Sequence, residues 1–169
     1  MLSCIAAIGP NNEIGYKNDL IYKSKEDMKI FQKYTNHKTV LMGYKTWKSL
    51  RTPVLKNRDC IVIVKDNKPL PTDLSKALEN YPQLRILSEG FLLSSINLYS
   101  SSRKEYIIMG GQRLYELTAP YWSIIYLTQF FKKPKNADTY FPTISKSDYS
   151  VTGYFGSKDF DFNILSKVR

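Results

Sequence analysis

Four nearly uninterrupted apolar runs dominate this chain: Leu2–Ile8, and residues 38–42, 61–64 and 105–109. A strand with one wet face alternates apolar and polar residues, whereas a strand covered on both faces reads as a continuous apolar run. Helical or loop segments separate these runs, and strands alternating with helices give a mostly parallel sheet flanked by helices. Residues 85–87 and 123–131 read as further strands, and the tail alternates over 149–155 and 159–165 around Gly156-Ser157, a β-hairpin pattern. Lys25–Thr35 reads as a helix with Ser24 as N-cap and Asp27 three residues on, a capping-box spacing. Residues 44–50, 73–80, 91–99 and 112–117 read as helices, and Asn11-Asn12 followed by Gly15 as a loop. The expected fold is α/β, with a central, mostly parallel sheet of about eight strands and a C-terminal antiparallel hairpin.

At 169 residues the chain suits one domain able to bury a core without staples. Its two cysteines, Cys4 and Cys60, sit inside strand-like runs without CxxC spacing, so they read as buried thiols in a reducing compartment. The single histidine, His37, has no partners for a zinc site, and no metal is expected. The apolar start is short and stops at Gly9-Pro10, unlike a signal peptide, and no run reaches the ~18 apolar residues of a membrane span. A cytoplasmic protein is expected. The net charge of +10 suggests anionic ligands, but the lysines are scattered with no run of five like charges. A small polyanion such as a phosphorylated cofactor fits that scatter better than a nucleic-acid duplex does.

Three motifs carry chemistry. Residues 106–115 (YIIMGGQRLY) take a buried strand through Gly110-Gly111 into a helix. Glycine admits a ligand close to the backbone, and a helix start offers free N–H groups to an anion, so a pyrophosphate site is expected; a simple turn is the bland alternative. Asp27 shares a helix face with Phe31 and Tyr34, at i+4 and i+7. It either completes the cap of Ser24 or stands at the edge of an apolar cleft, where a carboxylate holds an amidine-like heterocycle through paired hydrogen bonds. Residues 42–47 (MGYKTW) repeat the strand–glycine–helix geometry, as anion site or as plain packing.

Taken together and in order, these blocks resemble the dihydrofolate reductase family along nearly the whole chain. The matching residues are Ile5-Ala6-Ala7 with Asn12, Ile14 and Gly15; Asp27 with Phe31 and Thr35; Val40, Met42, Gly43, Thr46 and Trp47; Met109-Gly110-Gly111 with Leu114 and Tyr115; Tyr126-Leu127-Thr128; and residues 138–142, DTYFP. The resemblance implies NADPH-dependent reduction of 7,8-dihydrofolate to 5,6,7,8-tetrahydrofolate. Asp27 would bind the pteridine and assist its protonation, with Thr128 supporting it and Tyr22 near the catalytic water. Ile5, Ala6, Ala7, Met28, Phe31, Leu50, Met109 and Tyr115 would line the ring cleft, and Leu55 and Arg58 would meet the benzoyl-glutamate tail. The cofactor would lie among Ala7, Ile14, Gly15, Leu20, Gly43, Tyr44, Lys45, Thr46, Val64, Lys65, Met109, Gly110, Gly111, Gln112, Arg113, Leu114 and Tyr115. The peptide between the glycines would be cis. The resemblance further implies a single domain, 1–169, with residues 38–105 forming an adenosine-binding subdomain, and a monomer that takes up dihydrofolate but neither nucleic acid nor membrane.

The chain departs from the family pattern at several points. Ile21-Tyr22 replace Pro-Trp in the lid loop, and residues 55–58 read LKNR where Leu-Pro-Gly-Arg is usual. Tyr44 replaces an arginine, Val64-Lys65 replace the serine-containing pair that meets the extra phosphate of NADPH, and Gln112 replaces a third glycine. Lys65 and Lys45 would supply charge there, with weaker discrimination against NADH. Two rival readings share the pattern: a pyrimidine reductase of the same fold, which needs neither Asp27 nor Arg58, and a non-catalytic binding protein that kept the fold.

Overall fold

The computed structural model describes residues 1–168. The chain begins with β1 (Leu2–Ile8), the short strands β2 (Glu13–Tyr16) and β3 (Asp19–Leu20), and helix α1 (Lys25–Thr35). Then follow β4 (Thr39–Gly43), α2 (Tyr44–Ser49), β5 (Asp59–Val64), α3 (Thr72–Asn80), β6 (Leu84–Ser88), α4 (Glu89–Ser94) and α5 (Ile96–Ser101). The last third holds β7 (Tyr106–Ile108), α6 (Gln112–Thr118), a 3-10 turn at Ala119–Tyr121, β8 (Ile124–Phe130), β9 (Thr139–Tyr140), β10 (Tyr149–Gly156) and β11 (Phe160–Lys167). Eight strands form one sheet in the order β10-β11-β8-β1-β7-β4-β5-β6. All pairings from β8 to β6 are parallel, and the terminal hairpin β10-β11 joins antiparallel to β8. The expected α/β architecture is therefore the observed one.

The continuous apolar strands feed two cores, one on each face of the sheet. In β1 the side chains of Leu2, Cys4, Ala6 and Ile8 join one buried cluster with Leu41, Ile61, Ile108 and Trp122. Ile5 enters the other with Val40, Met42, Val62 and Ile107, and Ala7 packs against it. This is the period of two that a pleated strand imposes. Cys4 and Cys60 are buried free thiols, one in each cluster. The N-terminal edge of the sheet is tied by Glu105, which accepts hydrogen bonds from Ser3 Oγ (2.7 Å) and Tyr126 Oη (2.9 Å) and pairs with Lys38. No helix among the described residues is long and apolar enough to cross a membrane.

Helix α1 starts where its sequence says it should. Ser24 Oγ accepts the Asp27 N–H at 3.2 Å, and Glu26 and Asp27 stand in the first turn, where an acidic side chain complements the helix dipole. Ile30, Phe31 and Tyr34 then pack on the second cluster, so α1 lies over the face that carries Ile5 and Ala7.

Two expectations need correction. Residues 91–99 do not make one helix: α4 ends at Ser94, Ser95 adopts φ −102° and ψ 4°, and α5 begins at Ile96. Ser94 Oγ bonds back to the Phe91 carbonyl at 3.0 Å, and serine commonly diverts backbone bonding in this way. The loop after Ile8 is also more ordered than its asparagines and glycine suggest, because β2 pairs with both β3 and β9 in a separate three-stranded sheet. Strands this short show no periodicity in sequence.

Candidate active site

The glycine pair follows the carboxyl end of β7, between β1 and β4, the middle of the parallel sheet. Crevices at the carboxyl ends of parallel strands are the usual ligand sites of such sheets. The Gly110-Gly111 peptide is cis. Gly43 at the end of β4 donates its N–H to the Gly110 carbonyl (2.8 Å), and Met109 donates to Leu41 O (2.9 Å), so both strand–glycine–helix motifs meet at one place. Gly110 has φ +108°, and a Cβ there would lie 3.2 Å from the Tyr115 ring. A Cβ on Gly111 would lie 3.3 Å from Thr46 Oγ1, with no other atom within 4 Å. Glycine is thus required at the first position by backbone and packing, and at the second it leaves a cradle open.

That cradle opens into a cavity of about 520 Å³. Every cofactor residue expected from the sequence lines it: Ala7, Ile14, Gly15 and Leu20 from β1 and the lid; Gly43, Tyr44, Lys45 and Thr46; Val64 and Lys65; and Met109 through Tyr115. Gln112, in place of a third glycine, turns its side chain aside, accepting from the Tyr140 N–H (2.8 Å) and donating to Glu116 (2.8 Å). The cavity also takes in residues not anticipated: Asn18, Asp19, Ser49, Ile63, Lys68, Pro69, Pro71, Glu89 and Thr139. Lys68, Pro69 and Pro71 follow the carboxyl end of β5, and in sequence the two prolines read only as chain breakers.

The second half of the site is built on α1 and β8. Thr128 is buried and stands two residues from Tyr126 and from Phe130, both members of the cluster under α1. The half-buried carboxyl group of Asp27 is raised above the ordinary carboxylate range by burial, and a hydrogen bond with the Thr128 side chain pulls the other way. Asp27 is therefore neither a surface residue nor only part of the helix cap. Ala7 and Met109, which line the cavity, also pack against the cluster that Phe31, Leu50 and Leu55 border, so the two halves abut there. Met28 lies more on the rim, at 45% exposure.

Arg58 is set in place from two sides. Its Nε donates to Thr35 Oγ1 (2.9 Å) and its Nη1 to the Lys56 carbonyl (2.8 Å), while its plane rests over Phe31, 5.7 Å from the ring centre. Thr35 is fully buried and itself donates to Phe31 O at 2.7 Å. Nη2 remains without a protein partner among the described residues, and a guanidinium held this way is suited to a carboxylate.

Three expected site residues carry other contacts as well. The Ala6 side chain points into the cluster on the opposite face of the sheet, so it offers only backbone to a cleft on the α1 side. Tyr115 lines the cavity but is rooted in that opposite cluster, and its hydroxyl donates to Ile5 O at 2.7 Å, bracing β1. Tyr22 stacks on Phe130 with centroids 4.2 Å apart, and its hydroxyl donates to the Lys132 carbonyl at 2.5 Å. That hydroxyl's proton is committed to fixing the segment to the end of β8, which leaves only its lone pairs to a water. A tryptophan N–H and a tyrosine O–H sit at different points of their rings, so the swap re-aims the donor.

A sequence model of the dihydrofolate reductase family matches residues 1–162. A dihydrofolate reductase of Buchnera aphidicola from Baizongia pistaciae is 32% identical over 89% of this chain and 82% of its own length. A bifunctional dihydrofolate reductase-thymidylate synthase of Paramecium tetraurelia is 29% identical over 96% of this chain, which spans only 34% of that longer protein. Among solved structures, dihydrofolate reductase from Enterococcus faecalis, in complex with NADP(H) and RAB-propyl, superposes with a TM-score of 0.79 at 21% identity, over 99% of this chain and 96% of that one. With the glycine cradle in the cavity and the half-buried Asp27 on the face that abuts it, the match over nearly the full length establishes that this chain belongs to the dihydrofolate reductase family.

Proposed function

We propose that the chain reduces 7,8-dihydrofolate to 5,6,7,8-tetrahydrofolate with NADPH. The observation that carries this reading is a half-buried carboxyl group, Asp27, on an apolar face that abuts the glycine-lined cavity. Gly43, Thr46, Gly110 and Gly111 fit a dinucleotide, since a Cβ on Gly111 would narrow the cradle that the phosphates need. When bound, NADPH supplies the hydride. Asp27 holds the pteridine through its amino and ring nitrogens, and its raised pKa keeps a proton on the carboxyl group at pH values where an exposed aspartate has lost it. Thr128 orients that carboxyl group. Ile5, Ala7, Phe31 and Leu50 exclude water from the ring cleft, and Arg58 presents its free Nη2 to the tail carboxylate, with Leu55 beside it.

The reading extends to one functional unit, 1–169, in which residues 38–105 hold the adenosine end; Val64, Lys65 and Lys68 on the cavity wall support that division. It takes the protein as a cytoplasmic monomer without nucleic-acid partners, and the two free, buried thiols fit a reducing compartment. The test is NADPH oxidation at 340 nm with dihydrofolate, for the native chain and for Asp27→Asn. Turnover should require dihydrofolate and fall roughly 10²- to 10⁴-fold in the variant at pH 7, the usual range for losing a general acid. Unchanged turnover in Asp27→Asn would remove that carboxyl group from the mechanism, and turnover on a pyrimidine substrate alone would replace the proposed reaction.

A further inference from the structure

Glu13, on β2, is a charged side chain sealed from solvent at 4% exposure. Among the described residues no lysine or arginine stands within 4 Å of its carboxylate, which accepts one N–H, from Asn11 at 2.8 Å. A buried carboxylate held so sparingly costs stability. The Asn11 bond folds the side chain back over the turn that leaves β1, which is closed by Gly9 N–H to Glu13 O (2.9 Å) and Asn12 N–H to Gly9 O (3.2 Å). The Tyr22 hydroxyl stands at the same place. A Cβ on Gly9 would lie 2.5 Å from Glu13 Oε2 and 2.5 Å from Tyr22 Oη, well inside van der Waals contact with both. Gly9 serves here by having no side chain, so that the carboxylate and the phenol meet over its Cα. Burial and, after it, the charge of Glu13 raise the Tyr22 pKa.

The hydroxyl is thus wedged between the Lys132 carbonyl, which takes its proton, and the floor made by Gly9 and Glu13. The Tyr22 ring stacks on Phe130. Phe130 and Thr128 are two residues apart on β8 and face the same way, and Thr128 holds the Asp27 side chain. Tyr22 also stands two residues ahead of Ser24, whose Oγ caps α1 at the Asp27 N–H. Tyr22 and Asp27 therefore rest on successive same-face residues of one strand. On the reading that Asp27 serves the protonation of the pteridine, we infer that Gly9 and Glu13 are positioning residues for that step: they wedge Tyr22 against β8, and Tyr22 sets the entry of the helix that carries Asp27. Neither touches the ligand, and neither belongs to the blocks that carry the family resemblance.

Steady-state kinetics with NADPH and dihydrofolate read the function. Near-UV circular dichroism reads the Tyr22 ring, with Tyr22→Phe as the reference that lacks its signal. In Gly9→Ala the methyl group must push the hydroxyl off its wedge, so kcat should fall roughly 10- to 100-fold, as for a misplacement of about 1 Å. Both KM values should move less than about 3-fold, because the binding contacts stand elsewhere. Gly9→Ala/Tyr22→Phe removes the hydroxyl that the methyl group meets. It should turn over no more slowly than Gly9→Ala, so the two losses do not multiply. Glu13→Gln keeps the length and the acceptor for Asn11 and should stay within about 3-fold of the native kcat. Glu13→Ala opens the space behind the hydroxyl and should lose about 5-fold or more. Gly9→Ala and Glu13→Ala should change the Tyr22 signal, and Glu13→Gln should keep it. A native kcat in Gly9→Ala, multiplying losses in the double variant, or equal losses in Glu13→Gln and Glu13→Ala would overturn the assignment. So would a Gly9→Ala protein that kept the Tyr22 signal while its turnover fell. A native chain that oxidised no NADPH with dihydrofolate would sink the reductase reading and this inference with it, whereas native turnover beside an undiminished Gly9→Ala rate sinks this inference alone.

Discussion

Replacing each glycine of the pair by alanine should separate the fold from the function. At Gly110, alanine must adopt φ +108° and place its Cβ 3.2 Å from the Tyr115 ring. An L-residue in such a region costs about 1–3 kcal/mol, and crowding a packed ring costs a further ~1–3 kcal/mol. The ring has little freedom to yield, because its hydroxyl is bonded to Ile5 O at 2.7 Å in the buried core. A combined loss of about 2–6 kcal/mol corresponds to a fall in Tm of roughly 4–24 °C for a chain of this size. At Gly111 the backbone is ordinary and only Thr46 Oγ1, at 3.3 Å, must give way. Gly111→Ala should therefore cost less than ~1 kcal/mol without ligand. It should nonetheless weaken NADPH binding by about tenfold or more, since the methyl group stands in the cradle. Calorimetric melting with and without NADPH reads both effects. At a ligand concentration of about 100 times the native dissociation constant, the native chain gains about 2.7 kcal/mol, and a tenfold weaker binder only ~1.4. A Gly110→Ala protein melting within about 2 °C of the native one, or a Gly111→Ala protein with a full NADPH shift, would refute the argument.

Other outcomes can be set against measurement. Burial raises the Asp27 pKa, so the folded state binds the proton more tightly than the unfolded chain; ionising Asp27 costs stability as pH rises between the unfolded and folded values. Asp27→Asn should accordingly unfold at a higher urea midpoint than the native protein at pH 7 and at an equal one near pH 3; a lower midpoint at pH 7 would contradict this. Arg58→Leu should raise the KM for dihydrofolate about 10- to 100-fold, the loss of charge-assisted bonds to a carboxylate, with a much smaller effect on a pterin lacking the tail; equal effects would place the tail elsewhere. Tyr22→Phe should lose about 0.5–1.5 kcal/mol of unfolding free energy with the Lys132 bond, and Tyr22→Ala clearly more, since it also loses the stacking on Phe130. Urea titration that ranked them the other way would show that the ring, not the hydroxyl, opposes folding.

What was legible in the sequence was whatever depends on local pattern. The apolar runs predicted the parallel strands because burial on both faces leaves no room for alternation, as β1 shows with Cys4 on one face and Ile5 on the other. The Ser24 cap and the 27–31–34 spacing predicted which face of α1 meets the core. Sequence did not reveal facts that depend on which face a pleat presents or on what another segment brings. Ala6 and Ile5 are adjacent letters but opposite directions. Arg113 reads in sequence as a free cation, and only the fold brings Glu89, 24 residues earlier, to it as a partner. Lys68 belongs to no motif, and only the fold brings it to the cavity wall. Strands β2, β3 and β9 are too short for periodicity, and β2 and β9 pair across more than a hundred residues.

That small sheet ties the loop after β1 to the segment between β8 and β10 and, through it, to the start of α6. Gly15 in β2 accepts from the Asp138 N–H (3.0 Å), Asp138 in turn accepts from the Lys17 N–H (2.9 Å), and the next residues carry β9. From there the Tyr140 N–H reaches Gln112, at the start of the helix that the glycine pair opens (2.8 Å). Displacing that sheet outward would strain the Tyr140–Gln112 bond, so the position of β2 and β9 and that of the helix opened by the glycine pair are coupled.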